Sequence, residues 1–223
     1  MLRVSRLNKY KRPILCYVTD RSALPPSPSA TSDVLGKIAE AQSAGVDWIQ
    51  IREKDLSARE LAALLDEALK ISSASKILVN DRLDVALAGS ASGVHLTETS
   101  VSARDARKLA SSLSGPPGFL VGVSCHSLDG ARAAADSGAD YLVFGPVFPT
   151  PSKAAYGAPQ GLERLAEVCR TVDIPVLAIG GIDLENAASC LAVGASGIAA
   201  IRLFQDAADL PVTVRALHAL PLR

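Results

Sequence analysis

The pentad Gln50-Ile51-Arg52-Glu53-Lys54 closes one apolar run and places an amide and two cations at alternate positions. In a β-strand, alternate side chains point to one face, so Gln50, Arg52 and Lys54 would lie side by side. Two neighbouring cations repel each other, and a bound anion between them offsets that repulsion. The pentad therefore indicates a polyanion site, with phosphate as the simplest ligand, although a solvated strand end would show the same pattern.

A carboxylate follows a second apolar run, in the dipeptide Asn80-Asp81. Beside a cationic phosphate site, such a carboxylate is best explained as a ligand of Mg²⁺ that bridges to a diphosphate. Asn and Asp are also ordinary turn and helix-cap residues, so the pair by itself allows a purely structural role.

Two later segments have the composition of phosphate-binding loops. Gly180-Gly181 would let backbone N–H groups approach an anion, although a tight turn would need the same residues. The loop from Pro149 to Gly157 combines the hydroxyls of Thr150 and Ser152 with the cation of Lys153, as expected of a lid over an anionic ligand.

Short apolar runs alternate with longer Ala- and Leu-rich stretches about eight times along the chain. The predicted strands are Ile14 to Val18, Trp48 to Ile51, Ile77 to Val79, Gly93 to Leu96, Phe119 to Val123, Tyr141 to Phe144, Val176 to Ile179 and Gly197 to Ile201. The predicted helices are Asp33 to Ala44, Ser57 to Ser72, Leu83 to Ala88, Ser102 to Ser112, Leu128 to Ser137, Leu162 to Thr171, Leu184 to Val193 and Ala207 to Ala219. Ser57, Ser102 and Asp183 are predicted caps, and glycine follows three helices at 45, 138 and 194.

Continuous apolar strands separated by helices predict an α/β fold, a single-domain TIM (β/α)8 barrel over residues 13–223. An open doubly wound sheet is the main competitor, but no GxGxxG motif follows the first strand. In a barrel, functional groups lie where strands end, and seven of the predicted strands lead into polar or glycine clusters there. The segments at 45–47, 138–140 and 194–196 mark the opposite, structural end of the barrel.

Composition excludes several classes of protein. The 23 Lys and Arg residues balance 23 Asp and Glu residues, so no global basic field is available to attract nucleic acid. No apolar run reaches the roughly 18 residues of a membrane span, so no membrane association is expected. Four widely spaced cysteines predict free thiols and hence the cytoplasm. Residues 1–12 carry five basic residues without an apolar stretch and are predicted to form a flexible leader, not a secretory signal.

Six segments, taken in order, resemble the thiamine phosphate synthase and TenI-type superfamily. They are Gln50 to Lys54, Asn80 to Arg82, Gly93 to Leu96, Gly122 to Ser127, Phe144 to Lys153 and Ile179 to Ile182. The resemblance covers nearly the whole chain and implies a TIM barrel. It also implies a transferase of thiamine biosynthesis that joins hydroxymethylpyrimidine diphosphate to a thiazole phosphate or its carboxylate and releases diphosphate with Mg²⁺.

The resemblance also implies roles for individual residues. Residues of the pentad, among them Ile51 and Glu53, would bind the pyrimidine diphosphate together with Asn80, Ser124 and Lys153, and Arg52, Lys54 and Lys153 would also serve catalysis. The thiazole phosphate would contact Thr150, Pro151, Ser152, Gly181, Ile201 and Arg202. Asp81 would bind Mg²⁺. The expected partners are these two small molecules, and barrels of this size often pair, which leaves a homodimer open.

Two positions depart from the family pattern. Ser100 stands where the family usually has an aspartate that binds magnesium, and Arg202 stands where it usually has a serine. A runner-up function follows from these departures: TenI-type relatives tautomerise a thiazole carboxylate phosphate without magnesium, for which His126 would be the base. A barrel that binds a phosphate ligand without catalysis is the third hypothesis. Cys125 and His95 are both expected to pack in the core.

Overall fold

Eight parallel strands follow one another around a closed barrel, and the last pairs with the first. The computed structural model describes residues 11–27, 29–71, 74–113, 115–150 and 158–222. The strands are β1 (Ile14–Val18), β2 (Trp48–Ile51), β3 (Lys76–Asn80), β4 (Gly93–Leu96), β5 (Leu120–Cys125), β6 (Tyr141–Phe144), β7 (Val176–Ile179) and β8 (Gly197–Ala200). The TIM barrel predicted from the sequence is confirmed.

Helices cover the outside of the barrel between successive strands. They are α1 (Ala30–Ala44), α2 (Ala58–Lys70), α3 (Leu83–Ala88), α4 (Ala103–Ser112), α5 (Leu128–Asp136), α6 (Gly161–Thr171), α7 (Ala187–Ala192), α8 (Arg202–Gln205) and α9 (Leu210–His218). A 3₁₀ turn, Arg21–Ala23, follows β1. None of the helices in the described ranges is long and apolar enough to cross a membrane.

Strand residues alternate between two separate apolar clusters. One cluster fills the barrel interior and comprises Ile14, Cys16, Val18, Trp48, Leu78, Tyr141, Val143, Leu177 and Ala199. The other lies between the strands and the helices and includes neighbours such as Leu15, Ile49 and Val79. Because both faces of each strand are buried, the strands read as continuous apolar runs in the sequence. This alternation decides which polar side chains beyond each strand face the cavity.

The amino ends of the strands are fastened by two aspartates in equivalent positions. Asp47 accepts a hydrogen bond from the N–H of Leu15 at 2.9 Å, and Asp140 accepts one from the N–H of Val121 at 2.7 Å. Each aspartate follows a left-handed glycine at the end of a helix, Gly45 or Gly138. These segments are structural, as the sequence predicted.

Most element boundaries agree with the sequence to within two or three residues. Ser57 and Ser102 accept from the backbone N–H groups of Glu60 and Asp105, as predicted for caps. α7 begins at Ala187, three residues later than predicted, because the Asp183 carboxylate holds the preceding turn. The 3₁₀ turn and α8 were not predicted, since neither is long enough for a periodic pattern.

The beginning of the chain is described only from Lys11 onward, and residues 1–10 of the predicted leader lie outside the described residues. Arg12, assigned to that leader, donates to Asp47 at 2.8 Å and to Nδ1 of His218 at 2.8 Å. Arg12 thus contacts both α9 and the amino end of the barrel, and the flexibility of the leader stays a prediction.

Candidate active site

A cavity of about 520 Å³ opens at the carboxyl ends of the strands. Its floor is apolar and comes from the interior positions Val18, Val143 and Ile179 near the strand ends, with Ala200 of the outer cluster beside them. Its polar wall comprises Asp20, Gln50, Arg52, Lys54, Asn80, His95, Thr97, Glu98, Ser124, His126, Thr150, Gly180, Gly181, Asp183, Ile201 and Arg202 together with their neighbours. One cavity therefore combines an apolar surface, on which flat rings can pack, with charged side chains that can bind anions.

The pentad divides between cavity and support. Gln50, Arg52 and Lys54 line the cavity, as alternation predicts. Ile51 and Glu53 do not: Ile51 is fully buried in the outer cluster, and the Glu53 side chain is only 1% exposed. The side chains of Ile51 and Glu53 face away from the cavity because they have the opposite parity, and their contact with a substrate stays a prediction.

Glu53 instead ties two loops together. Its carboxylate accepts from Oγ1 of Thr19 at 2.5 Å and from the N–H of Arg21 at 3.0 Å. The same Thr19 oxygen accepts from the N–H of Arg52 at 3.0 Å, so the network holds the backbone of a cavity residue. Burial raises the pKa of Glu53, with the Thr19 and Arg21 hydrogen bonds opposing that shift.

Amide and hydroxyl groups form the deepest polar part of the wall. Nε2 of Gln50 donates to Oδ1 of Asn80 at 2.8 Å, which fixes both amides. Oγ of Ser124 lies 2.9 Å from Nε2 of His95, and Nδ1 of His95 lies 3.1 Å from the hydroxyl of Tyr141. Burial and the nearby Arg52 charge lower the pKa of His95 to about 3, so its ring is neutral. The predicted packing of His95 is correct, but its Nε2 edge also reaches the cavity.

The residues expected to bind magnesium lie together beside this wall. The hydroxyl of Ser100 donates to Oδ1 of Asp81 and lies 2.8 Å from Oγ1 of Thr97, which lines the cavity. Asp81 has a left-handed φ of 61°, which turns the chain directly after β3. No cluster of three or more His, Cys, Asp or Glu side chains suited to a metal occurs in the described ranges. One carboxylate and adjacent hydroxyls remain an all-oxygen set, which fits a Mg²⁺ that keeps waters and takes further oxygens from a diphosphate.

Glu98 lines the cavity and binds the backbone directly after β5. Its Oε1 accepts from the N–H of His126 at 2.9 Å, and Nδ1 of His126 lies 2.5 Å from the carbonyl of Gly145. Because that carbonyl can only accept, the Nδ1–H group of His126 is the donor. Cys125, the last residue of β5, is fully buried, and burial raises its pKa to about 12, so it is no nucleophile.

The opposite side of the cavity is made by the loops after β6, β7 and β8. Gly180 and Gly181 have φ values of 97° and 65° and line the cavity, and a Cβ on Gly181 would lie 2.5 Å from the carbonyl oxygen of Pro149. Thr150, Ile201 and Arg202 also line it. The first N–H groups of the short helix α8 have no partner within that helix. Pro151, Ser152 and Lys153 lie outside the described residues.

Asp20 and Thr97 line the cavity but were not among the predicted site residues. Each stands two positions beyond an interior residue, Val18 or His95, so the same alternation that identified Arg52 could have found them. Oδ2 of Asp20 is 3.8 Å from Nη1 of Arg52, a distance near the upper limit for an ion pair. The Arg52 guanidinium therefore retains donors for an anion.

Comparisons with known proteins give one consistent family. Residues 15–204 match the family described as thiamine monophosphate synthase. The chain is 41% identical over 209 residues to the thiamine-phosphate synthase of Roseiflexus sp. (strain RS-1), covering 93% of this chain and 84% of the relative. It is 41% identical over 208 residues to that of Methanocella arvoryzae, covering 92% and 93%. A solved thiamine phosphate pyrophosphorylase from Pyrococcus furiosus superimposes with a TM-score of 0.78 at 33% identity, covering 94% of this chain and 96% of that one.

Proposed function

The chain belongs to the thiamine monophosphate synthase family, and we propose that its cavity joins hydroxymethylpyrimidine diphosphate to a thiazole phosphate or its carboxylate. The enzyme is accordingly a transferase of thiamine biosynthesis. The observation that carries the proposal is one cavity with an apolar floor, two cations on one rim and a glycine loop with α8 on the other. Two anionic substrates can then meet with their rings between the rims.

In the reaction, the bond between the pyrimidine methylene carbon and the diphosphate oxygen breaks, and the leaving group takes the electron pair. The thiazole nitrogen then donates its lone pair to that carbon, which gives thiamine phosphate and free diphosphate; when the thiazole carries the carboxylate, that group also leaves as CO2. Arg52 and Lys54 on the cavity wall stabilise the charge that grows on the leaving oxygen. Lys153, outside the described residues, is proposed for the same task on the resemblance alone.

Positioning of the rings falls to uncharged groups. The linked amides of Gln50 and Asn80 and the hydroxyl of Ser124 support binding of the pyrimidine ring, because they stand above the apolar floor. Thr150, Gly181, Ile201 and Arg202, with Pro151 and Ser152, would hold the thiazole phosphate. The loops after the seventh and eighth strands of a TIM barrel, with a short extra helix, often bind phosphate. Holding both reactants in line lowers the entropy cost of the transfer.

Asp81 and Ser100 would hold Mg²⁺ against the diphosphate. A bound Mg²⁺ would supply neutralising charge for the departing diphosphate. With one carboxylate instead of two, the site is expected to bind the free ion weakly and to depend on the diphosphate oxygens. The four free cysteines support a reducing, cytoplasmic setting for the enzyme.

The alternatives lose support from the comparisons described above. The relatives reported above carry synthase or pyrophosphorylase names, which favours transfer over tautomerisation and over binding without catalysis. His126 lines the cavity and its Nδ1 contacts the carbonyl of Gly145, so the tautomerase hypothesis retains a defined residue for its test.

The decisive experiment incubates purified protein with both substrates, with and without Mg²⁺, and measures thiamine phosphate and diphosphate. We expect equal amounts of both products, formed only with the metal. Folded protein that forms neither product would refute the proposal. A His126→Asn variant then separates the alternatives: it should retain synthesis in a transferase and abolish isomerisation of the thiazole carboxylate phosphate in a tautomerase.

A further inference from the structure

A line of three polar side chains runs from the barrel interior to the cavity. Tyr141 on β6, His95 on β4 and Ser124 on β5 lie in hydrogen-bond contact through the two ring nitrogens of the histidine. Tyr141 and His95 are 1% exposed, whereas Ser124 is half-buried and lines the cavity. The order of donors along this line decides what the last hydroxyl can offer to a ligand.

Burial of the phenol determines the direction of the first bond. Within the described residues, the hydroxyl of Tyr141 has one hydrogen-bond partner, Nδ1 of His95 at 3.1 Å. If Nδ1 carried a proton, it would donate to the phenol oxygen, and the phenol hydrogen would be buried without an acceptor, which is unfavourable. The phenol therefore donates to Nδ1. A neutral imidazole with a lone pair on Nδ1 carries its proton on Nε2.

The second bond then follows from the first. The Nε2–H group of His95 donates to Oγ of Ser124 across 2.9 Å. Since that oxygen already receives a hydrogen bond on the histidine side, the serine hydrogen is directed away from the ring, toward the cavity. A charged imidazole or the other neutral tautomer would leave the phenol hydrogen unsatisfied, so this arrangement alone satisfies all three groups.

The surrounding packing holds the line rigid. His95 pairs with Gly122 across β4 and β5, and Gly122 pairs with Tyr141 across β5 and β6. A Cβ on Gly122 would lie 2.0 Å from Cζ of Tyr141, so glycine leaves the space that the phenol ring occupies. On its other side, the Tyr141 ring packs against Trp48 with ring centroids 4.7 Å apart.

We propose that Tyr141 and His95 are positioning residues that orient Ser124 as a hydrogen-bond donor to the pyrimidine substrate. The atom of the substrate that Ser124 recognises is then an acceptor, such as a ring nitrogen, and not the exocyclic amine. That identification of the substrate rests on the proposed function, whereas the direction of the hydrogen bonds does not.

The direction is tested without substrate by ¹⁵N NMR of the histidine rings. The chain has three histidines, and a His95→Gln variant assigns the signals of this one. We expect the Nε2–H tautomer alone, unchanged from pH 5 to pH 8. A signal from the Nδ1–H tautomer or from imidazolium would overturn the proposal. In Tyr141→Phe, Nδ1 loses its donor and the tautomers should mix. Tyr17→Phe is the matched control. It removes a buried hydroxyl that is bonded to Gln205 outside the barrel interior, and it should leave the histidine spectrum unchanged.

The role in catalysis is tested by a double-mutant cycle. His95→Leu and Ser124→Ala should each raise KM for the pyrimidine diphosphate, by about ten-fold for Ser124→Ala, with a smaller change in kcat. In the Ser124→Ala background, His95→Leu should not raise KM further, because His95 then has no hydroxyl left to orient. If the effects of the two substitutions on KM multiply in the double variant, His95 acts only through folding and the proposal is refuted. Failure of the wild type to form thiamine phosphate would refute the proposed function instead. The NMR result would still decide the direction of the hydrogen bonds of His95.

Discussion

The cavity-lining residues of the pentad owe their place to strand parity. Gln50, Arg52 and Lys54 were predicted to act together because they alternate in the sequence, and they line one cavity. The partners of His95 could not be predicted, since they depend on the register of β4, β5 and β6, which no local pattern specifies. Thus many of the residues that line the cavity could be predicted from the sequence, but the hydrogen bonds between them could not.

The contribution of Arg52 is testable against another arginine. Arg52→Ala should lower kcat/KM roughly 100-fold, because about 3 kcal/mol of charge-assisted binding to the leaving group is lost. Arg59→Ala on the exposed face of α2 is the matched control and should have no effect on activity. Urea unfolding of both variants should show nearly wild-type stability. Equal activity of the two variants would remove Arg52 from the site.

Ser100 gives a prediction about the metal. Ser100→Asp places a second carboxylate against Asp81, so the two like charges should lower the melting temperature in EDTA. Mg²⁺ should restore stability and support activity at a lower concentration than in the wild type. The melting temperature across a magnesium titration measures this separately from turnover. An unchanged titration curve would mean that Asp81 and Ser100 do not form the metal site.

His95 links stability to pH. Its pKa is lowered to about 3 in the fold, below the ordinary value of 6.5, so only the unfolded chain takes up a proton between these values. Stability contributed by neutral His95 is therefore complete above pH 6.5 and is lost as pH falls. Between pH 7 and pH 5 the wild type should lose about 2 kcal/mol more than His95→Gln. Urea unfolding at both pH values measures the difference, and parallel losses would contradict it.

Strands and short helices differ in how well the sequence predicts them. Five strands match their predicted bounds, because burial on both faces gives uninterrupted apolar runs between helical segments. The short pieces α8 and Arg21–Ala23 were missed, although both border the cavity through Arg202 and Ala23. Their positions follow from how the chain leaves a strand end, which depends on tertiary contacts and not on periodicity.

The loop after β7 is predicted to tolerate no side chain at Gly181. Gly181→Ala combines a φ of 65° with a Cβ 2.8 Å from that of Phe148, so the β6 loop would have to move. We expect KM for the thiazole phosphate to rise at least ten-fold and stability to fall by about 2 kcal/mol. Gly36→Ala is the matched control: nothing lies within 4 Å of its added Cβ in α1, so stability should rise by about 0.5–1 kcal/mol. Unchanged kinetics in Gly181→Ala would argue against phosphate binding at this loop.

At the scale of the whole molecule, function and stability occupy opposite ends of the barrel. The fold was predictable because eight repeats of one pattern reinforce each other, whereas the clasp joining Arg12, Asp47 and His218 unites residues from both ends of the chain. No pattern in the sequence links positions so far apart. The cavity end could be anticipated from its charges, but the amino end shows only glycine-aspartate turns.

The clasp predicts that stability can be lost without loss of catalysis. Asp47→Ala removes the acceptor of the Leu15 N–H group and the partner of Arg12 and His218, and should lower the free energy of unfolding by about 2 kcal/mol. Because Asp47 lies at the end opposite the cavity, kcat/KM at 25 °C should stay within two-fold of the wild type. Urea unfolding and steady-state kinetics on the same preparation make the test. A parallel fall in activity would mean that the two ends are coupled.

The single tryptophan of the chain stands where such coupling would be visible. Trp48 lies in the barrel interior with its ring tilted against that of Tyr141, which in turn contacts the His95 ring. Its indole is the only one in the chain, so the tryptophan fluorescence of the protein comes from the barrel interior next to the cavity. The molecule thus carries its own optical reporter, through which ligand arrival at the cavity can be timed without any label.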